Sequence, residues 1–187
     1  MNFLLDRFQI VHNTEATFKE LTSYCSNVEE TIFFKRIDNK WSIAENIKHL
    51  TISTKMTNLA LRVPKFVLRL LYGKPNRPSR SYEELVSKYN SKLEAGAVST
   101  GKYVPKEKDI NKSKDEMLND WNALSTKYLS LIKYYWEEDK LDRYIVPHPL
   151  LGKITIRELT YFTIHHTKHH LKTIRQRNRE ALEFAAA

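Results

Sequence analysis

Apolar positions recur every three or four residues over four long stretches of the chain, the pattern of helices with one buried face. Over residues 2–26 the stripe runs Leu4, Phe8, Val11, Phe18, Leu21 and Cys25. A second helix is expected over 42–72, with Ile43, Ile47 and Leu50 on one side and His49 near the sector of Ser53, Met56 and Ala60. Pro64 should break it near Val63, because proline lacks the amide donor and clashes with the preceding turn. A third helix, 114–138, carries a seam of Met117, Trp121, Leu124, Tyr128, Leu131 and Tyr135. The fourth begins at 154 and continues through 175.

Four helix starts are written as S/T-x-x-E, in which the first side chain and the fourth satisfy each other's backbone amides. They are Ser42 with Glu45, Ser81 with Glu84, Ser113 with Glu116, and Thr155 with Glu158. The Ser81 box opens a short extra helix over 81–95 inside a long crossover, 73–112. That crossover is either a wall over a pocket or a solvated connector, and its Pro-rich, basic opening (GKPNRPSR) favours the connector. Trp41, just ahead of the second helix, should pack across its first turn, and 139–152 reads as a loop. The expected architecture is an all-α single domain over 1–187: a four-helix bundle with a long crossover between helices two and three.

Composition narrows this picture. A chain of 187 residues can bury one substantial core. Its one cysteine, Cys25, excludes an internal disulfide and suits a reducing cytoplasm, where it packs as a small apolar residue. No apolar run is long enough for a bilayer span, and Asp6 and Arg7 interrupt the N-terminal apolar stretch, so neither a membrane partner nor a signal peptide is expected. The formal charge of +9 attracts anions, but the basic residues are dispersed and no nucleic-acid motif is present. A basic helical nucleic-acid binder is a rival reading, and no nucleic-acid partner is expected.

The candidate chemistry lies in the fourth helix, ITIRELTYFTIHHTKHHLKTIR, where His165, His166, His169 and His170 stand together. At about 100° per residue, His166 and His170 share the sector of Leu159, Thr163 and Ile174 and turn inward. His165 points with Lys168 and Lys172 toward water, and His169 lies at the edge. Imidazoles at i and i+4 can both reach one metal ion, or can be buried with ordinary hydrogen bonds. His165 with His169 is the competing pair. His148, between two prolines, is not expected to be a ligand.

Two stretches together resemble the DinB/YfiT-like metalloenzyme family. WSIAENIKHL resembles its W-S-x-x-E-x-x-x-H-L segment, and PLLGKITIRELTYFTIHHTKHHLKTI resembles its last helix, with a P-x-x-G turn and an H-x-x-x-H before an apolar residue. The resemblance implies a four-helix bundle in which three histidines hold a divalent metal. By motif position these are His49, His166 and His170. Thr173 stands where many members have Gln, and the basic crossover has no assignable counterpart.

Three neutral imidazoles leave the ion its full charge and an open position, with zinc or nickel the expected metal. The resemblance implies thiol transfer, a low-molecular-weight thiol attacking an electrophilic small molecule. The same ligands would serve a hydrolase, and a non-catalytic metal-binding or sensor protein is a third reading. Glu45, one turn before His49, is a candidate to orient that ring, besides its capping role. His169 is a candidate proton shuttle at the rim. No further catalytic residue can be read from the sequence, and a homodimer is expected only from the frequency of two-fold assemblies.

Overall fold

The computed structural model describes residues 3–186. Each main helix begins where its capping pair stands. Asp6 and Gln9 cap one another and start α1 (Arg7–Ser26), later than the apolar stripe suggested. Asn2, where that helix was expected to start, lies outside the described residues. Leu4 therefore precedes the helix, and Phe8 faces solvent at 79% exposure. The buried face is instead Ile10, Thr14, Thr17, Phe18, Leu21 and Cys25. The threonines can occupy it because each hydroxyl donates back to a carbonyl of its own helix at 2.7 Å.

A short helix, α2 (Glu30–Phe34), leads to a turn in which Asp38 and Asn39 take the left-handed conformation. The Ser42–Glu45 box starts α3 (Ile43–Arg62), Val63 ends it, and Pro64 opens α4 (Lys65–Tyr72), as the proline required. The Ser81 box starts α5 (Tyr82–Glu94) and the Ser113 box starts α6 (Lys114–Ser130). Two 3₁₀ turns, Gly101–Tyr103 and Glu107–Ile110, lie between them.

Beyond Ser130 the expected third helix changes form. Leu131–Tyr135 make one π turn, whose wider winding shifts the register. Ile132 and Trp136 enter the core in place of Leu131 and Tyr135, and the Trp136 indole donates to the Leu61 carbonyl at 3.0 Å. The expected loop over 139–152 also gains structure. β1 (Ile145–His148) pairs antiparallel with β2 (Gly152–Thr155), closing on Gly152 at φ +74°. Thr155 and Glu158 then start α7 (Ile156–Ala186) with both reciprocal bonds in place.

Four helices make the bundle. α1 packs against α6 and α7, and α3 packs against the same two. The chain-neighbouring pairs α1/α3 and α6/α7 therefore face each other across diagonals. The crossover does not hang in solvent as its composition suggested. α5 lies against α7 and buries Leu85 and Tyr89. Fully buried Glu158 then receives Arg77 in two bonds of 2.7 and 3.0 Å, and the backbone and side chain of Arg80 at 2.9 and 3.0 Å. Burial alone would raise the Glu158 carboxyl, but these donors outweigh it and hold the group below its ordinary range.

Candidate metal centre

α3 carries one histidine inward and α7 carries two. His49, His166 and His170 are all buried, and their ligating ring nitrogens lie within 4.8 Å of one another. Nε2 of His49 stands 3.1 Å from Nε2 of His166. The ring of His170 is 4.7 Å from each of the other two. The helical phase set by the Ser42 and Thr155 boxes decides this meeting, since each box fixes which residues of its helix turn inward.

Hydrogen bonds set two of the rings. The Nδ1–H of His49 donates to the Tyr103 carbonyl at 2.7 Å, and a carbonyl can only accept. The Nδ1–H of His170 donates to Oδ1 of Asn46, also at 2.7 Å. That amide's orientation follows from its other end, which donates to the Ser42 carbonyl at 2.8 Å. With Nδ1 carrying the proton, the Nε2 lone pairs of both rings turn toward the cluster. The His166 ring is held by stacking on Phe162, centroids 4.8 Å apart. Trp41 reaches past the first turn of α3, where it was expected to pack, and lies 5.2 Å from the ring of His49 and 6.5 Å from that of His170.

Burial holds all three imidazoles below their ordinary pKa, His166 and His170 well below, with the neighbouring histidines adding to the effect. They are therefore neutral, the form that ligates a metal. The Nε2 lone pair of His49 can accept the Nε2–H of His166 at 3.1 Å, and a cation could take the place of that proton. Three convergent nitrogen donors fit zinc, nickel, copper or iron in preference to the harder magnesium and calcium. The cluster is consistent with a metal site.

The remaining candidates fall outside it. His165 is not turned to water with Lys168, because α5 covers it. It is half-buried, its Nε2–H donates to Asn90 Oδ1 at 3.2 Å, and its ring lies 5.6 Å from Tyr89. His169 is half-buried beside His170, 5.3 Å between centroids, and does not line the cavity described below. Glu45 does not orient His49. Its carboxylate is taken by the Ser42 amide at 2.9 Å and by Arg36, whose Nε donates at 2.7 Å and whose Nη2 forms a second, shorter bond. Sequence reasoning missed the two groups that do set the rings. Asn46 could have been found, since it lies one turn before His49 on α3. The Tyr103 carbonyl carries no side-chain signal at all.

A cavity of about 680 Å³ opens beside the cluster, with His49 and His166 in its wall. Met56, Ala60, Leu68, Val98, Leu159 and Phe162 make much of the rest, and Tyr103 from the crossover closes one side. Lys102 is the charged residue among the described lining, which contains no carboxylate. His148 lines it too, without joining the three-histidine cluster. Among the described residues, no helix is long and apolar enough to cross a membrane.

No curated protein matches the chain. Among solved structures, YfiT from Bacillus subtilis is similar, with a TM-score of 0.64 at 13% identity over 93% of this chain and 86% of that one. That protein is described as a probable metal-dependent hydrolase with an unusual four-helix bundle topology. At this identity the likeness shows the fold, and the diagonal helix pairing described above is a fold of that kind. The sequence profile of the DinB superfamily matches residues 12–174, a span that contains all three buried histidines, and the chain belongs to that superfamily.

Proposed function

We propose that the protein is a metal-dependent enzyme whose divalent ion is held by His49, His166 and His170, and that it transfers a small thiol to an electrophilic substrate. The observation that supports this is the meeting of three neutral imidazoles, two of which, His49 and His166, stand in the wall of a largely apolar cavity. A bound divalent ion would supply the charge that makes a nucleophile near neutral pH. The chain's own residues do the rest. Tyr103 and Asn46 hold the ligand rings in one tautomer, Phe162 and Trp41 wall the site with aromatic faces, and the apolar lining keeps water from the reacting carbon. In the transfer a sulfur–carbon bond forms, the leaving group departs with its bonding electrons, and the thiol proton passes to solvent.

Thiol transfer is favoured over hydrolysis by the lining. Glu45 and Glu158 are both committed to arginines, and no carboxylate among the described residues lines the cavity to act as a base toward water. A thiol, with a pKa of about 8.5, needs far less help to ionise than water does. Hydrolysis is the second reading, supported by the shared fold with YfiT.

Metal content measured by mass spectrometry on untagged protein is the first test. One ion per chain is expected in the native protein and in His165→Ala, and loss is expected in His49→Ala, His166→Ala and His170→Ala. Retention in the last three would overturn the ligand set. Loaded protein is then assayed with chlorodinitrobenzene plus small thiols, and with para-nitrophenyl acetate and no thiol. Turnover that needs the thiol supports transfer, whereas turnover with water alone replaces it with hydrolysis.

A further inference from the structure

His148 sits at the tip of the β1–β2 hairpin, in the cavity wall. Its Nδ1 accepts from two backbone amides, those of Leu150 and Leu151, each at 3.2 Å. An amide can only donate, so Nδ1 bears a lone pair and the ring proton is on Nε2. A proton on Nδ1 would face two N–H groups, and burial independently pushes the ring's pKa down to about 4. That Nε2–H has no partner among the described residues. The ring is 4.2 Å from Phe162, and the Phe162 ring is in turn 4.8 Å from that of His166. One aromatic ring thus touches both His148 and the cluster. The other polar groups on the wall are mostly hydroxyls, which rotate and can donate or accept. His148 differs from His49, whose Nδ1–H is taken by the Tyr103 carbonyl, in combining a fixed tautomer with a donor that has no partner among the described residues.

We infer that His148 reads the substrate: its Nε2–H donates to an acceptor such as a carbonyl oxygen, on a molecule whose apolar body fills the cavity and whose reacting atom lies one ring's width away at the histidine cluster. This rests on the proposed metal-dependent reading for what happens at the cluster, but not for the binding itself. The lining agrees with the chemical class. Met56, Leu68, Val98 and Leu159 offer nothing to a sugar or nucleotide, and much to an aryl or alkyl body.

The probe is prodan, a naphthalene that carries a ketone and fluoresces at shorter wavelength when that ketone loses a hydrogen bond. Its companion is the same naphthalene with propyl in place of the propionyl group. Both are titrated into native protein and into His148→Asn, with ion content and thermal midpoint measured beside them. Asparagine's Oδ1 can still accept from Leu150 and Leu151, as in an Asx turn, while its shorter amide falls short of the place of Nε2. The expected result is binding of both molecules to native protein. In the variant prodan weakens about three- to tenfold and its bound emission moves to shorter wavelength, while the propyl compound changes less than twofold. Equal weakening of both would make His148 a merely structural residue, and no change in either would remove it from recognition. Failure of both to bind native protein would overturn the substrate class. Imidazole ¹⁵N shifts of native protein give a second reading that needs no variant. A proton on Nδ1, or an Nε2–H resonance that prodan leaves unmoved, overturns the assignment. Absence of the ion from native protein, with prodan still selectively weakened by His148→Asn, would count against the catalytic reading and leave this one standing.

Discussion

Asn46 and Tyr103 decide which nitrogen of two buried histidines faces the cluster, so their influence should be read in the metal. Asn46→Leu leaves His170 free to turn, and zinc affinity should fall about 10–100-fold in a chelator competition, with the helix content unchanged. The histidines also tie stability to pH. Burial lowers His49, His148, His165, His166, His169 and His170 in the folded chain, while each would titrate near 6.5 when unfolded. With folded values depressed, their contribution is fully present above about pH 6.5. It drains as pH falls from there toward about 4, where His148 and His165 protonate even in the folded chain. The denaturation midpoint of metal-free protein should fall across that interval. His165→Gln, which can keep the bond to Asn90, should flatten the fall. His166 and His170 were legible before any coordinates from the helical phase that the Thr155 box fixes, and His49 from the resemblance of WSIAENIKHL to the family's segment. The partner of His49 was not legible, since any residue could have supplied that carbonyl.

At the scale of elements, the Glu158 junction holds the crossover to the start of α7. Glu158→Gln keeps the shape and removes the charge that faces Arg77 and Arg80. It should cost about 2–4 kcal/mol in denaturant unfolding, and should open the crossover to limited proteolysis before the rest of the chain. The elements most open to sequence reading were those with local chemistry at their ends: Ser42, Ser81, Ser113 and Thr155 all cap as written. α1 was misjudged because Leu4 extends the apolar stripe ahead of Asp6, where the helix starts, and Phe8, in the first turn, continues that stripe but faces solvent. The hairpin was missed because Pro147 and Pro149 bracket His148 and break strand alternation, although Ile145, Val146, Ile154 and Thr155 carry the β-branched signal. The crossover was misjudged because its basic residues look solvated until Glu158 is seen beneath them.

At the scale of the molecule, the clustered histidines come from opposite regions of the chain: His49 and His166 are 117 positions apart. Their helices touch only when α3 and α7 close a bundle in which α1/α3 and α6/α7 sit on diagonals. Contacts of such separation form late in folding, because a long loop must close before they repay its entropy. An ion offered to the unfolded chain would find only the local histidines of α7. It therefore cannot act as the seed around which the chain collapses, and the bare polypeptide must find its shape alone. Zinc added during refolding should leave the refolding rate constant unchanged. The same zinc should slow unfolding from the loaded protein, since the three-way grip exists only on the native side of the barrier. Stopped-flow traces with and without the ion will show whether this centre is a nucleus or, as its topology requires, a clasp fastened last.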